Sequence, residues 1–149
     1  MTDLSANRYI KGFGELQVER FALDNSAVQE VFEGAPLFID IGTDTSYPRV
    51  WDSGETLATG DAFLGIAAEY VNVLTTDVEI DNEINVIRPG SIVGFADANS
   101  LTRANIGDLI YMSDSGALTT TSGTNLQIGY IHEVQGGWVY VKLEYWQSS

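Results

Sequence analysis

Apolar residues in this chain come in short runs that alternate with polar ones at every second position, and turn signals separate the runs. A helical repeat of about 3.6 residues is not sustained over any long window. A period of two sends successive side chains to opposite faces of a strand, so one face can be buried while the other meets water. The clearest case is the stretch Trp138 to Trp146. Val139, Val141, Leu143 and Tyr145 fall on one face; Trp138, Tyr140, Lys142, Glu144 and Trp146 fall on the other. With 15 glycines and abundant Thr, Val and Ile, the chain has the pattern of a sandwich or barrel. The expected fold class is all-β, with little helix.

The polar start, residues 1–13, predicts an extended N-terminal arm. Residues 14–149 predict a single β domain. Within it, Gly14 to Leu23 reads as a strand with a break. Val28 to Phe32 and Leu37 to Ile41 predict a hairpin turning at Glu33-Gly34-Ala35-Pro36. Residues Thr43 to Gly60 read as a loop anchored by Tyr47 and Trp51, and Phe63 to Val73 as an apolar strand with room for a short helical continuation. Val78, Ile80 and Ile84 interleave with Asp77, Glu79, Asp81 and Glu83 in a strand pattern. Ile92 to Ala96, Leu109 to Met112, Ile128 to Val134 and Trp138 to Tyr145 supply four more strands. The last two are joined through Gln135-Gly136-Gly137, where glycine permits a tight hairpin. Asp114-Ser115-Gly116 is a similar turn, and Ala98 to Ala104 can hold one helical turn. Two stretches echo each other: Trp51-Asp52-Ser53-Gly54 leading to Leu64-Gly65-Ile66, and Ser113-Asp114-Ser115-Gly116 leading to Ile128-Gly129-Tyr130. The echo reads as a duplicated β unit.

Composition narrows function. Seven Lys and Arg against 21 Asp and Glu give a net charge of −14. Displacing counterions from nucleic-acid phosphates, or meeting an anionic membrane, needs clustered cations that this chain lacks. Neither direct nucleic-acid binding nor membrane association is expected. There are no cysteines, which removes disulfides, thiolate catalysis and zinc–thiolate sites and suits a reducing compartment. The first eight residues lack a signal-peptide pattern, and no apolar run approaches the ~20 residues of a membrane helix.

No catalytic constellation emerges. The one histidine, His132, sits mid-strand with Tyr130 and Val134 two residues to either side, the place of a packed side chain. A nucleophile elbow and a P-loop are missing, and Gly12-Phe13-Gly14 meets Gln17 where a dinucleotide fingerprint needs its third glycine. The acidic row Asp77 to Glu83 fails the EF-hand pattern, since its twelfth position falls on Arg88. It reads instead as the wet face of a strand. No enzyme activity, cofactor or metal is expected. The aromatic face Trp138, Tyr140 and Trp146 is the candidate subunit interface, because Trp and Tyr serve as interface anchors.

The run Ile106-Gly107-Asp108-Leu109-Ile110-Tyr111-Met112, the turn Ser113 to Gly116 and Leu118-Thr119-Thr120-Thr121 form the most specific part of the sequence. Gln127-Ile128-Gly129-Tyr130 and Val139-Tyr140-Val141-Lys142-Leu143 follow. This resembles the C-terminal half of the tailed-bacteriophage capsid decoration (cement, or head-stabilising) proteins. Phe32 to Leu37, Leu64 to Ala67 and Pro89 to Val93 fall in the right order for the rest, so the resemblance covers about Ala27 to Glu144. The longer N-terminal part, the segment Thr43 to Gly60 and the aromatic end at Trp146 depart from that pattern.

The resemblance implies a compact β-barrel or β-tulip protein of the virion, made in the host cytoplasm. It would dock on the outer surface of an icosahedral viral capsid and bridge major capsid protein subunits as a homo-oligomer, a homotrimer by preference. Capsid contact is then expected along the arm, with Arg8, Tyr9 and Lys11 facing capsid carboxylates or adding a strand to an open sheet edge. An alternative is a carbohydrate- or host-binding β module of a phage particle, because exposed Trp and Tyr stack on sugars. A carboxylate hydrolase ranks below both, since no nucleophile–base pair stands out.

Overall fold

A computed structural model describes residues 3–8, 10–39, 47–74, 82–96 and 100–148. Thirteen strands are β1 (Ile10–Gly12), β2 (Val18–Ala22), β3 (Gln29–Val31), β4 (Pro36–Ile39), β5 (Arg49–Val50), β6 (Ala62–Ala67), β7 (Val71–Val73), β8 (Glu83–Ile87), β9 (Ile92–Phe95), β10 (Leu109–Met112), β11 (Leu118–Thr119), β12 (Leu126–Gln135) and β13 (Trp138–Leu143). All-β architecture is thus what the alternation produced. Among the described residues, the helical element is one 3-10 turn, Arg103–Asn105, capped by the Thr102 side chain at the end of the stretch where a helical turn was expected.

Every pairing is antiparallel, in three sheets. A six-stranded sheet runs β1-β9-β13-β12-β10-β11, a five-stranded sheet β2-β8-β6-β4-β5, and β3 and β7 form a separate ribbon. None of these sheets closes into a barrel among the described residues. Two buried clusters give the layering. Phe38, Phe63, Ile66 and Ile87 of the five-stranded sheet meet Val93, Ile110, Ile128, Ile131, Val139, Val141 and Leu143 of the six-stranded sheet. On its other face, Leu37, Leu64, Ile84 and Val86 pack against Val31 and Val73 of the ribbon. The order of layers is therefore ribbon, five-stranded sheet, six-stranded sheet. The five-stranded sheet is apolar on both faces, which is why β6 reads as an unbroken buried run rather than an alternation.

Trp51 fastens the two large sheets. It is buried, meets Phe38 edge to face at 5.2 Å, and donates its indole N–H to the Met112 carbonyl at 3.0 Å. The indole thereby fills apolar volume and satisfies its polar atom in one placement. Tyr47, expected to anchor the same loop, is exposed instead. The expected hairpin across Gly34 is also corrected. The turn exists, with Ala35 N–H donating to the Phe32 carbonyl at 3.1 Å, but β3 pairs with β7 and β4 pairs with β5 and β6. The turn changes layers because both flanking segments have buried faces to satisfy. No helix follows β6; a turn at Ala68 and Glu69 leads directly into β7.

The two large sheets share one plan. In chain order, β9, β10, β11, β12 and β13 pair as β2, β4, β5, β6 and β8 do. The registers match in detail. Leu37 opposes Gly65 and the register then slips before Phe38; Ile110 opposes Gly129 and slips before Tyr111. Both glycines have φ near +155°, at 156° and 154°, and a Cβ on either would collide with the carbonyl of the next strand, at Ile87 or Lys142. The repeat expected from sequence is real at these glycines. Its turns are not equivalent, because Ser113 to Gly116 precedes the short strand β11 whereas Trp51 to Gly54 follows the short strand β5.

Candidate interaction surface

The outer face of the six-stranded sheet is built by β1, β9, β13 and β12, with Leu109 of β10 beside them. Residues paired across strands share a face, so register fixes its rows: Lys11, Gly94, Tyr140 and Glu133 form one, Ile92, Lys142, Tyr130 and Leu109 a second. Trp138 opposes Gln135 at the hairpin end, where Gly136 and Gly137 take the positive φ foreseen for them. Tyr140 lies over Gly94, and a Cβ there would stand 2.8 Å from its ring. Phe13, just past β1, places its ring 5.3 Å from both His132 and Tyr140 in edge-to-face contact. Lys11 Nζ sits 4.7 Å above the Trp138 ring. Phe13 and Leu109 are 46% exposed, while Tyr130, Trp138 and Tyr140 are half-buried.

Its charge is unlike that of the rest of the chain. β1, β9, β12 and β13 hold both lysines and the histidine, with one acidic residue, Glu133. Arg103 Nη2 neutralises Glu133 at 3.0 Å from the margin. In a protein of net charge −14, this sheet face thus carries both lysines and a group of rings against one paired carboxylate.

Several expected site residues are placed differently. Trp138 and Tyr140 share the outer face, but Trp146 does not. β13 ends at Leu143, and the chain beyond it turns to the five-stranded sheet, where Phe63 N–H donates to the Trp146 carbonyl at 3.0 Å and the indole packs on the core. The alternation breaks because the strand ends, so counting onward by twos misassigned this ring. His132 and Val134 part company in the same way. A bulge between Ile131 and Glu133 turns Val134 into the core while His132 stays with the outer rings.

The segment expected as an arm lies on its own domain in its described residues. Lys11 is in β1, hydrogen-bonded as an edge strand to β9. Arg8 stacks its guanidinium 5.4 Å above the Phe95 ring and donates through Nη2 to the Gly116 carbonyl, so its charge is spent within the chain. Tyr9 falls outside the described residues. Nearer the start, Asp3 accepts hydrogen bonds from Ser53 N–H at 2.9 Å, Ser53 Oγ at 2.5 Å, Ser115 N–H at 3.1 Å and Ser115 Oγ at 3.3 Å. The two Asp-Ser-Gly turns that echo each other in sequence are thereby clasped by one carboxylate. Burial works to raise the Asp3 pKa, yet the hydrogen bonds from both serines outweigh it and hold the carboxyl below its ordinary value.

Beside β5, Arg49 with Glu55 and Asp24 with Ser26 are committed to one another. A cavity of about 230 Å³ beside β5 is lined by Asp24, Ser26, Gln29, Arg49, Asp52 and Glu55 among others. Arg49 binds Glu55 through two nitrogens, each at 2.9 Å, and Asp24 accepts from Ser26 N–H and Oγ at 2.9 and 3.0 Å. Burial raises the Asp52 pKa, with Glu55 and Asp3 adding to the rise and the Gly54 N–H opposing it. Of the acidic row, Asp77, Glu79 and Asp81, with Val78 and Ile80, lie outside the described residues. Glu83 opens β8 and binds Arg20 at 2.6 Å, while Ile84 is buried. Among the described residues no group of three or more His, Asp or Glu is placed to hold a metal ion, and no helix is long and apolar enough to cross a membrane.

Sequence reasoning missed Phe13, Lys11 and Gly94 as parts of the outer face. Gly94 carried a signal, because glycine inside a strand marks a close approach, here by the Tyr140 ring. No protein-family model, curated protein or solved structure matches the chain.

Proposed function

We propose that this chain is a non-catalytic capsid decoration protein. It binds the outer surface of an icosahedral shell, bridges major capsid protein subunits, and does so as a homo-oligomer, a trimer by preference. The observation that carries the reading is the outer face of the six-stranded sheet, where aromatic rings and both lysines share one face of an acidic molecule. The sequence resemblance over Ala27 to Glu144 supplies the partner. Avidity from many copies on one shell lets each contact stay modest, and the surplus of carboxylates keeps the protein soluble before docking. With Arg8 and β1 engaged inside the domain, capsid contact through the N-terminal segment is limited to surface that β1 leaves open, including the exposed Lys11 side chain.

Co-sedimentation with expanded empty capsids of the phage that encodes the chain is the test. Saturable pelleting at a fixed ratio to the major capsid protein is expected. A protein left in the supernatant at micromolar concentration rejects the reading. The exposed ring of Phe13 and the half-buried rings of Trp138 and Tyr140 favour the sugar-binding alternative in that case, with glycan-array binding as its check.

A further inference from the structure

The repeat shows which surface is left uncovered. Ile66 and Ile87 are paired partners in the five-stranded sheet, and the six-stranded sheet buries both, at 0% and 3% exposure. Their counterparts in the second unit, matched through Gly65 and Gly129, are Tyr130 and Lys142, again paired partners. No described strand covers that pair. At the opposite end of the layers, the ribbon presents Glu30 across from Asn72, with Tyr70, Val28 and Leu74 exposed at 44%, 62% and 45%. The segments Val28 to Glu33 and Glu69 to Leu74 that make this end contain Glu30, Glu33 and Glu69 and no Lys or Arg; Glu69 is turned to Arg20 of β2 at 3.6 Å, which leaves Glu30 and Glu33 as the carboxylates of this end. One end of the molecule therefore presents two lysines among aromatic rings, the other Glu30, which accepts from the Tyr70 hydroxyl at 2.5 Å, with apolar side chains beside it.

We propose that a second copy of this chain docks head to tail, its ribbon end seated on the outer face of the six-stranded sheet. Lys142 and Lys11 then meet the Glu30 side of the neighbour, and Tyr130, Tyr140 and Trp138 meet Tyr70 and Val28. Charge complementarity selects this arrangement over face-to-face pairing, in which the two lysine-bearing faces would meet with Glu133, already paired with Arg103, as the carboxylate of their strands. A contact between two different surfaces repeats from copy to copy and closes into a ring where the rotation permits. This deepens the decoration reading, on which it rests for its setting, by naming how the copies meet.

Its test needs no capsid, so the two can fail separately. Sedimentation velocity of the purified chain at low ionic strength is expected to show self-association that weakens as salt is added. Lys11→Glu with Lys142→Glu weakens it at least about tenfold, and so does Glu30→Lys, with circular dichroism and thermal midpoint close to those of the parent. Mixing these two variants restores association, because each supplies the end that the other has lost. A monomeric parent at high micromolar concentration overturns the proposal. So does association that survives the lysine reversals in a folded variant, or a mixture that stays monomeric.

Discussion

Gly129 offers a sharp test of the β-bulge reasoning. Its φ of 154° lies where residues bearing a Cβ are strained, and a Cβ would come within 2.9 Å of the Lys142 carbonyl carbon and 3.1 Å of Leu143 Cα, closer still to the Lys142 oxygen. Gly129→Ala therefore adds two costs. The backbone strain is about 2 kcal/mol. Pushing β13 away forfeits about two ladder hydrogen bonds, roughly another 2 kcal/mol, and loosens Val141 and Leu143, both fully buried. A total of about 4 kcal/mol lowers the melting midpoint by roughly 8–16 °C in a chain of this size. Gly136→Ala is the control. Its φ is also positive, at 60°, but nothing lies within 4 Å of the new Cβ. It loses only about 1 kcal/mol, the left-handed penalty alone. Thermal and urea unfolding followed by Trp fluorescence measure both. Equal losses in the two variants, or a Gly129→Ala midpoint within a degree or two of the parent, would refute the close-approach argument.

Gly65→Ala should match Gly129→Ala within about 1 kcal/mol, since its Cβ would press on the Ile87 carbonyl and stand 2.6 Å from Val86 Cγ1; urea midpoints decide. Trp51→Phe leaves the Met112 carbonyl without its donor and opens a void between the large sheets, costing roughly 2–4 kcal/mol by the same unfolding assay. Asp3 has its carboxyl held below the ordinary value when folded, so the folded chain binds fewer protons in that window and loses stability as pH falls through it. Asp3→Asn costs about 1 kcal/mol at neutral pH and flattens the acid limb of the midpoint–pH curve below about pH 4. Removing residues 1–11 deletes Asp3, Arg8 and most of β1, so the midpoint drops by the equivalent of at least about 2 kcal/mol with no capsid present; an unchanged midpoint would return the segment to the role of a free arm. If the copies associate as proposed, Trp138→Ala leaves the fold intact and weakens that association in sedimentation; association unchanged from the parent assigns the ring to packing within the chain.

What was legible in the sequence follows the physics of each element. β12 and β13 were read closely because a surface sheet with one wet face imposes a two-residue period, and the glycines between them fit one kind of turn. β3 and β4 were misjoined because Glu33-Gly34-Ala35-Pro36 specifies a turn without specifying which layer the chain enters next. That choice depends on Val31 finding Val73 and Leu37 finding Gly65, contacts far apart in sequence. Trp146 and Val134 were misplaced for a related reason. A bulge or a strand end resets the alternation, and neither leaves a residue signature as plain as a turn glycine. The N-terminal segment was read as an arm because its few apolar residues, Leu4 and Ile10, each pack onto a different cluster and so produce no period.

The repeat gives the outer face its meaning. If the two units had simply faced each other as a symmetric sandwich, equivalent faces would meet in the core and both outer faces would be equally wet. Instead, Leu37, Leu64 and Ile84 face the ribbon, while their counterparts Ile110, Ile128 and Val139 face the five-stranded sheet. The units are therefore stacked in the same sense, front to back. Stacking of this kind always leaves one end with a face designed for cover and no layer to cover it. In the first unit that face carries Ile66 and Ile87, the residues of a core. In the second it carries Tyr130 and Lys142, which keep large apolar area while adding a hydroxyl and a charge that tolerate water. That substitution is what a sheet needs if it must fold alone and bind later.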